Sequence, residues 1–241
     1  MRTMVVVPTY EEAANIAELL QRIRAAAPDV DVLVVDDNSP DGTAKLAQAL
    51  NEELGHVDVL VREVKAGLGT AYRAGFAIGI ERGYEVIVQM DADLSHDPSA
   101  IPLLVGGLTD DVGLVIGSRY VPGGHIPHWP WYRRFLSRYG NLYTRLALGL
   151  QAHDLTSGFR AWKASTLENI NYQGTNATGY LFQMELAYRV AQHGENIAEV
   201  PITFTDRVRG TSKMSGAVIF EELTRVTWWG LRDRWRRLTH R

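Results

Sequence analysis

The sequence predicts an α/β fold built on a parallel sheet, and three observations support this prediction. Short apolar runs alternate with amphipathic segments along the first half of the chain. These runs are apolar almost throughout, as in strands that helices cover on both faces. The chain has 241 residues, 46% of them hydrophobic, which is enough for one domain with a sizeable core.

The first half predicts five strands and four helices in strict alternation. The strands are expected at residues 3–7, 32–35, 57–61, 86–90 and 112–116. Apolar residues at a spacing of three and four predict the first helix, at 11–27. The other helices are expected after an N-cap at Asp41, at 70–82 and at 100–108. Ligands of such sheets bind beyond the carboxyl ends of the strands.

The second half is less regular. Residues 121–134 hold three prolines, two glycines and two tryptophans, which predicts a long functional loop. Helices are predicted at 135–150, 183–193 and about 217–241, strands at 159–162 and 197–205, and a glycine-flanked loop at 206–216. We therefore expect a single domain, 1–241, with a nucleotide-sugar half at 1–118 and an acceptor half at 119–241.

Composition excludes several classes of protein. The net charge of −3 offers no basic field for nucleic acid. The absence of cysteine excludes disulfides and thiolate metal sites and fits the cytoplasm. No apolar run approaches the roughly 18–20 residues of a membrane span, so any membrane role is expected to be peripheral. No glycine-rich phosphate loop follows the first strand, which excludes P-loop and dinucleotide-binding domains.

Acidic residues cluster where three predicted strands end. Adjacent carboxylates repel one another unless a cation or hydrogen-bond donors compensate. Carboxylate ligands without cysteine favour Mg²⁺ or Mn²⁺, which usually completes its shell with substrate phosphates. A lone Asp-x-Asp could equally cap the next helix, as Asp97 is expected to do, but three clusters favour a metal site. The clusters are Glu11 and Glu12, Asp36 and Asp37, and Asp91 and Asp93.

Eight segments together resemble the polyprenyl phosphate mannose synthases of glycosyltransferase family two, most closely the catalytic domains of actinobacteria. In order they are VVVPTYEE, VVDDNSPDGT, GLGTAYRAGF, MDADLSH, IGSRYVPGG, WPWYRR, DLTSGFRAW and VPITFTDRVRGTSKMSG. The resemblance runs almost end to end. It implies a GT-A fold, a Rossmann-like nucleotide-binding sheet, and inverting transfer of mannose from GDP-mannose to a polyprenyl phosphate with a divalent metal.

The resemblance also implies roles for particular residues. The metal and the donor diphosphate fall to Asp91 and Asp93, which with Arg119 form the predicted catalytic set. The predicted nucleotide-binding residues are Pro8, Tyr10, Glu12, Asp36, Asp37, Lys65 and Gly69. The predicted phosphate-binding residues are Arg119, Arg133, Ser137, Arg209 and Lys213. Asp154 and Gln183 are expected near the donor sugar.

Two further predictions concern partners and alternatives. The tail combines tryptophans with arginines at helical spacing, which suits an anionic membrane surface on the cytoplasmic side, with or without a membrane-anchoring protein. A glucosyltransferase using UDP-glucose and the same lipid phosphate would have the same strand ends. An aspartate-dependent phosphohydrolase and a catalytically silent nucleotide-sugar binding module also stay open.

Overall fold

The computed structural model describes residues 1–175, 177, 179–206 and 216–239, and of 216–222 and 236–238 only the backbone. The strands in this part are β1 (Thr3–Thr9), β2 (Asp31–Asp36), β3 (Val57–Val61), β4 (Val86–Gln89), β5 (Val112–Ser118), β6 (Arg160–Lys163) and β7 (Asn196–Pro201). The helices are α1 (Ile16–Ala26), α2 (Thr43–Leu54), α3 (Leu68–Glu81), α4 (Ile101–Gly106), α5 (Trp131–Leu148), α6 (Ala164–Asn169), α7 (Tyr180–Gln192) and α8 (Gly216–Thr239).

The described strands form one sheet in the order β3-β2-β1-β4-β6-β5-β7. The prediction of a parallel sheet holds for β1 to β4 and for the pair of β5 and β7. It is wrong at β6, which runs antiparallel between β4 and β5. The chain leaves β5 at the carboxyl edge, forms α5, and re-enters the sheet from that same edge. The segment before β6 therefore lies beside the loops that follow β1, β2 and β4.

The side chains of β1 show how the two faces of the sheet are covered. Met4 and Val6 belong to one buried apolar cluster, with α3 and α7, whereas Val5 and Val7 belong to the other, with α1 and α4. A Cβ at Gly75 of α3 would collide with Val6. A small residue at this position therefore lets the helix lie close to the central strand.

Several predicted boundaries need correction. Helix α5 begins at Trp131 instead of 135, because Pro130 already has a φ of −56° and the helix can start directly after it. Helix α7 begins at Tyr180 rather than 183, and α6 was not predicted. Helix α2 begins at Thr43 with Gly42 as its N-cap, so the N-cap predicted at Asp41 is wrong. Strand β7 ends at Pro201, short of the predicted 205.

Two other predictions are confirmed. Asp97 caps the turn that begins at Pro98, with its carboxylate accepting a hydrogen bond from the Ser99 amide. The predicted C-terminal helix corresponds to α8. In the part of the chain that the structure describes, no helix is both long enough and apolar enough to cross a membrane.

Candidate active site

The loops after β1, β2 and β4 lie side by side and form the floor of the candidate site. Thr9 at the end of β1 is in register with Asp36 at the end of β2. Each loop contains a non-glycine residue with positive φ, namely Glu11 at 59°, Asn38 at 55° and Leu94 at 61°. Backbone of this kind costs about 1–3 kcal/mol per residue and is concentrated at functional sites.

Asp36 holds the first two loops together. It is fully buried, and its Oδ1 accepts hydrogen bonds from the hydroxyls of Thr9 at 2.8 Å and Ser39 at 2.6 Å. Its Oδ2 accepts from the Ser39 amide at 2.8 Å, and Ser39 Oγ accepts from the Glu11 amide. Of the two adjacent aspartates, Asp36 thus fixes the loop geometry that presents its neighbour.

Asp37 is the aspartate that lies next to the predicted nucleotide residues. Its Oδ1 is 2.9 Å from Nε of Arg62, and burial raises the pKa of its carboxyl although Arg62 opposes this shift. The ammonium of Lys65 lies 3.3 Å from the centre of the Tyr10 ring, which joins two more predicted residues. Pro8 lies beyond the last β1 residue paired with β4. Its lack of a backbone N–H donor therefore removes no hydrogen bond between these two strands.

Two predicted nucleotide residues also support the fold. Glu12 accepts a hydrogen bond from Asn15 at 2.8 Å, and its amide donates to the Thr43 hydroxyl at 3.0 Å. A Cβ at Gly69 would lie 3.0 Å from the Phe182 ring, so glycine here lets α3 approach α7. Because packing alone accounts for the glycine, its predicted contact with the nucleotide stays a prediction.

Asp91 and Asp93 follow β4 in the floor of the site. Asp91 Oδ1 accepts a hydrogen bond from the Tyr72 hydroxyl at 2.9 Å, and Oδ2 lies 3.8 Å from Nε2 of His96. Asp93 Oδ1 accepts from the Ser95 amide at 3.1 Å. Burial, and then the charge of Asp91, raise the pKa of Tyr72, which keeps this hydroxyl a donor at neutral pH.

The donor atoms of this pair suit a hard divalent cation. No group of three or more metal-binding side chains occurs among the described residues. Mg²⁺ in nucleotide enzymes takes only one or two carboxylates and draws its other ligands from phosphates and water. Asp91, whose side chain is 29% exposed, can reach such an ion, and Gly158 leaves space above it, since a Cβ there would lie 3.0 Å from Oδ2. The residues therefore fit Mg²⁺ or Mn²⁺ bound together with a diphosphate.

Arg119, just after β5, is fixed by Asp154 from the segment before β6. Its Nε and Nη2 each lie 2.7 Å from a carboxylate oxygen, its amide donates to Oδ2 at 2.9 Å, and Nη2 also reaches Thr156. Burial alone would lower the pKa of Arg119 and raise that of Asp154, but their attraction outweighs burial and reverses both shifts. In the described part of the chain Nη1 has no hydrogen-bond partner.

Asp154 itself is fully buried and bonded to Arg119. The structure therefore gives it a positioning task, and direct contact with the donor sugar stays a prediction. Gln183, the other predicted sugar residue, accepts a hydrogen bond from Gln89 at 3.0 Å and is 2% exposed. Its Nε2 is a buried donor with no partner among the described residues, which leaves it available to a ligand.

The predicted acceptor residues lie on α5 and near it. Arg133 forms an ion pair with Asp206 at 3.0 Å, and its guanidinium carbon lies 4.0 Å from the Trp129 ring centre. Ser137 accepts a hydrogen bond from the Tyr120 hydroxyl at 2.6 Å. Arg209 and Lys213 lie outside the described residues. A cleft of about 790 Å³ connects this region with Arg119, and its walls include Tyr120, His125, Arg134 and Arg138.

The sequence profile described as Glycosyl transferase family 2 matches residues 4–170 of the chain. The chain belongs to glycosyltransferase family 2. The matched residues include every strand from β1 to β6 and the whole floor of the site. The match continues past residue 118 into the predicted acceptor half, and the division into two halves stays a prediction.

Two bacterial proteins are similar to this glycosyltransferase along most of its length. The undecaprenyl-phosphate mannosyltransferase of Micrococcus luteus is 48% identical over 241 residues, which cover 100% of this chain and 99% of that protein. The polyprenol monophosphomannose synthase of Mycolicibacterium smegmatis is 47% identical over 234 residues, covering 97% of this chain and 88% of that protein.

Solved structures show the same GT-A fold. The glucosyl-3-phosphoglycerate synthase of Mycobacterium tuberculosis, bound to Mn²⁺, UDP-glucose and phosphoglyceric acid, superposes with a TM-score of 0.70 at 22% identity, covering 95% of this chain and 79% of that one. A mannosyltransferase of Pyrobaculum calidifontis in complex with GDP-Man and Mn²⁺ gives 0.59 at 18% identity, covering 98% and 64%. At these identities the likeness concerns the fold.

Some site residues of this glycosyltransferase were not predicted. Arg160 at the start of β6 is fully buried and donates to the carbonyls of Ser157, Leu155 and Gln183, which fixes the segment above Asp91. Burial lowers the pKa of Arg160 to about 9, so the guanidinium stays charged at neutral pH. The sequence offered one indication of this role, because Arg160 interrupts the otherwise apolar run FRAW.

Tyr72, His96 and Arg138 were also not predicted. A histidine three residues after Asp93 was a usable signal for His96, and the spacing of Arg138 from Arg134 on one helix was a signal for Arg138. Tyr72 comes from α3 and reaches Asp91 only through tertiary packing, so no local pattern could have identified it.

Proposed function

We propose that this glycosyltransferase moves mannose from GDP-mannose to a polyprenyl phosphate, with inversion at the sugar and with Mg²⁺ or Mn²⁺ as cofactor. The observation that carries the proposal is that two carboxylates and a fixed guanidinium lie at one sheet edge. Asp91 and Asp93 follow β4, and Arg119, held by Asp154, follows β5. The names of the two similar proteins support the choice of sugar and acceptor.

The reaction needs stabilisation of charge on a departing diphosphate. When bound, the divalent ion supplies Lewis acidity toward that charge. Asp91 and Asp93 would hold the ion, and the hydroxyl of Tyr72 fixes one oxygen of Asp91. Asp37, Lys65 and Tyr10 lie where the nucleoside is expected.

The acceptor side needs positioning more than proton transfer. A phosphate monoester is already anionic near neutral pH, so its oxygen can attack the anomeric carbon without losing a proton. The bond from that carbon to the diphosphate breaks in the same displacement, GDP leaves, and the configuration inverts. Nη1 of Arg119 and the arginines of α5 can orient the incoming phosphate.

The enzyme must also meet a lipid. We include in the proposal a peripheral attachment to the cytoplasmic face of an anionic membrane. Tryptophans exposed on α8 support this part, since Trp228 and Trp235 are 58% and 66% exposed.

The test combines donor binding and turnover. Calorimetry with Mn²⁺ should show binding of GDP-mannose, and a short polyprenyl phosphate should then yield mannosylated lipid and GDP, with the anomeric configuration read by NMR. Preference for UDP-glucose would indicate the glucosyltransferase. A trapped aspartyl-phosphate would indicate the phosphohydrolase, and binding without turnover would indicate a silent module.

A further inference from the structure

Helix α5 has the reverse of the usual distribution of side chains. Its buried positions are Asn141, Thr144 and Leu148, two of them polar. Its large apolar side chains are instead exposed, among them Trp131 at 79% and Leu146 at 64%. Monomeric proteins rarely expose a contiguous apolar surface of this kind unless it contacts a partner or a membrane.

Several side chains of α5 form one stripe that includes both aromatic rings and arginines. We define the outer face of α5 as Trp131, Arg134, Phe135, Arg138, Tyr139, Leu142 and Arg145, which recur at helical spacing. With Tyr120 and His153 these residues line a groove of about 600 Å³. The rings of Phe135 and Tyr139 contact each other, tilted by 34° with 4.1 Å between their centroids, so the face is apolar over two successive turns.

The charge of this face is of one sign. Helix α5 contains no aspartate or glutamate. Within the described residues, Arg134, Arg138 and Arg145 have no carboxylate within ion-pair distance, and the one ion pair of α5 joins Arg133 to Asp206. Unpaired arginines beside exposed aromatic rings are the combination that favours the interface of an anionic bilayer.

We propose that the outer face of α5 docks on the surface of an anionic phospholipid bilayer. This inference rests on the proposed function, because a lipid acceptor is reached only at a membrane. Arg134, Arg138 and Tyr120 line both this groove and the cleft that leads to Arg119. Docking would therefore place a membrane-borne phosphate at the mouth of the cleft. This surface lies on α5, whereas the sequence indicated the C-terminal tail, which forms α8. The two helices pack side by side, with Gly230 of α8 against Ala147 of α5.

The first experiment measures binding to vesicles of phosphatidylglycerol and phosphatidylcholine by co-sedimentation. Phe135→Ser/Leu142→Ser removes two side chains that are 50% and 41% exposed. We expect partitioning to fall at least roughly tenfold, because each apolar side chain contributes substantially at an interface. Leu46→Ser/Leu103→Ser, at 36% and 50% exposure on other helices, is the matched control and should bind like the wild type.

Three results would overturn the docking surface. The first is that the Phe135→Ser/Leu142→Ser variant binds the vesicles as well as the wild type does. The second is that the wild type binds pure phosphatidylcholine as well as it binds the mixed vesicles. The third is that the variant still binds vesicles but no longer co-purifies with a membrane protein that accompanies the wild type. Far-ultraviolet circular dichroism and melting temperature establish that the variant folds.

The second experiment distinguishes α5 from α8 by tryptophan fluorescence in vesicles with brominated acyl chains. Trp131→Phe should lower the quenched fraction, since it removes the tryptophan of the outer face. Trp228→Phe/Trp235→Phe is the comparison on α8. If Trp131→Phe leaves quenching unchanged, the outer face of α5 does not enter the bilayer and the proposal is wrong.

A third measurement separates this inference from the proposed function. Transfer is compared between a long polyprenyl phosphate in vesicles and a short one free in solution. The ratio of the two rates should fall in Phe135→Ser/Leu142→Ser. If the wild type fails to use even the short acceptor, the proposed function fails, while vesicle binding still reports on docking independently.

Discussion

The donor side of the site differs from the acceptor side in how its charged groups are held. On the donor side, Asp36, Asp37 and Asp93 are buried at or after the ends of β2 and β4, and hydrogen bonds or ion pairs fix them. On the acceptor side, Arg133 and its partner Asp206 are half-buried, and Arg138 is exposed. The difference agrees with the proposed function, in which a preformed nucleotide pocket faces a more open surface for a lipid head group.

Arg119 belongs to the acceptor side by sequence but to the donor side by its environment. It is buried like the aspartates, and three hydrogen bonds to Asp154 fix it in place. The contrast therefore follows burial rather than position along the chain. Variants on each side of the site test this contrast.

The largest effect is expected from Asp93→Asn. The loss of one carboxylate of the metal pair should lower kcat/KM by at least roughly a thousandfold and abolish the metal dependence of donor binding. Steady-state kinetics and calorimetry with and without Mn²⁺ measure this. Asp97→Asn is the neighbouring control, expected to cost less than about 1 kcal/mol of stability, because asparagine caps as well as aspartate, and to leave transfer intact. Normal turnover by Asp93→Asn would refute the metal assignment.

Arg119→Ala should damage folding and transfer together. Leaving Asp154 buried without its partner should lower the free energy of unfolding by about 3–5 kcal/mol, as measured by urea denaturation. Transfer should fall roughly a hundredfold or more. Arg119→Leu/Asp154→Leu should recover much of the stability but none of the transfer. Recovery of transfer in that double variant would remove Arg119 from the catalytic set.

Arg133→Ala, unlike Arg119→Ala, should impair transfer with little effect on folding. Its ion pair with Asp206 is partly exposed, so its loss should cost less than about 1 kcal/mol. The KM for polyprenyl phosphate should rise roughly tenfold, with donor affinity unchanged. Asp206→Asn, which frees Arg133 without removing it, should not raise that KM. An unchanged KM in Arg133→Ala would exclude this arginine from the acceptor site.

The smallest effect concerns the pH dependence of stability. The lowered pKa of Asp154 makes its contribution present above the ordinary value of 3.8 and lost as pH falls. The raised pKa of Asp37 has the opposite sign, so its contribution is lost as pH rises above 3.8. As pH rises, the melting temperature of Asp154→Asn relative to wild type should therefore decline in the acid range, up to roughly pH 5, whereas that of Asp37→Asn should improve above about pH 4. If the melting temperatures of both variants changed in the same direction with pH, the difference in environment between Asp154 and Asp37 would be contradicted.

The sequence predicted the donor side better than the acceptor side, for a physical reason. Asp37, Asp91 and Asp93 follow apolar runs directly, so strand pattern and local spacing suffice to bring them to one edge. The bond between Arg119 and Asp154 joins residues 35 positions apart, and no periodicity specifies it. The reversed direction of β6 likewise depends on tertiary packing.

The sheet order has a consequence for any attempt to express the two halves separately. The only sheet neighbours of β5 in the described structure are β6 and β7, which both follow residue 118. A cut after Ser118 would leave β5 unpaired and β4 with an open edge, and open edges promote aggregation. Coexpressed fragments would have to complement each other to recover the sheet, so they are suited to a split-enzyme reporter rather than to use as autonomous modules.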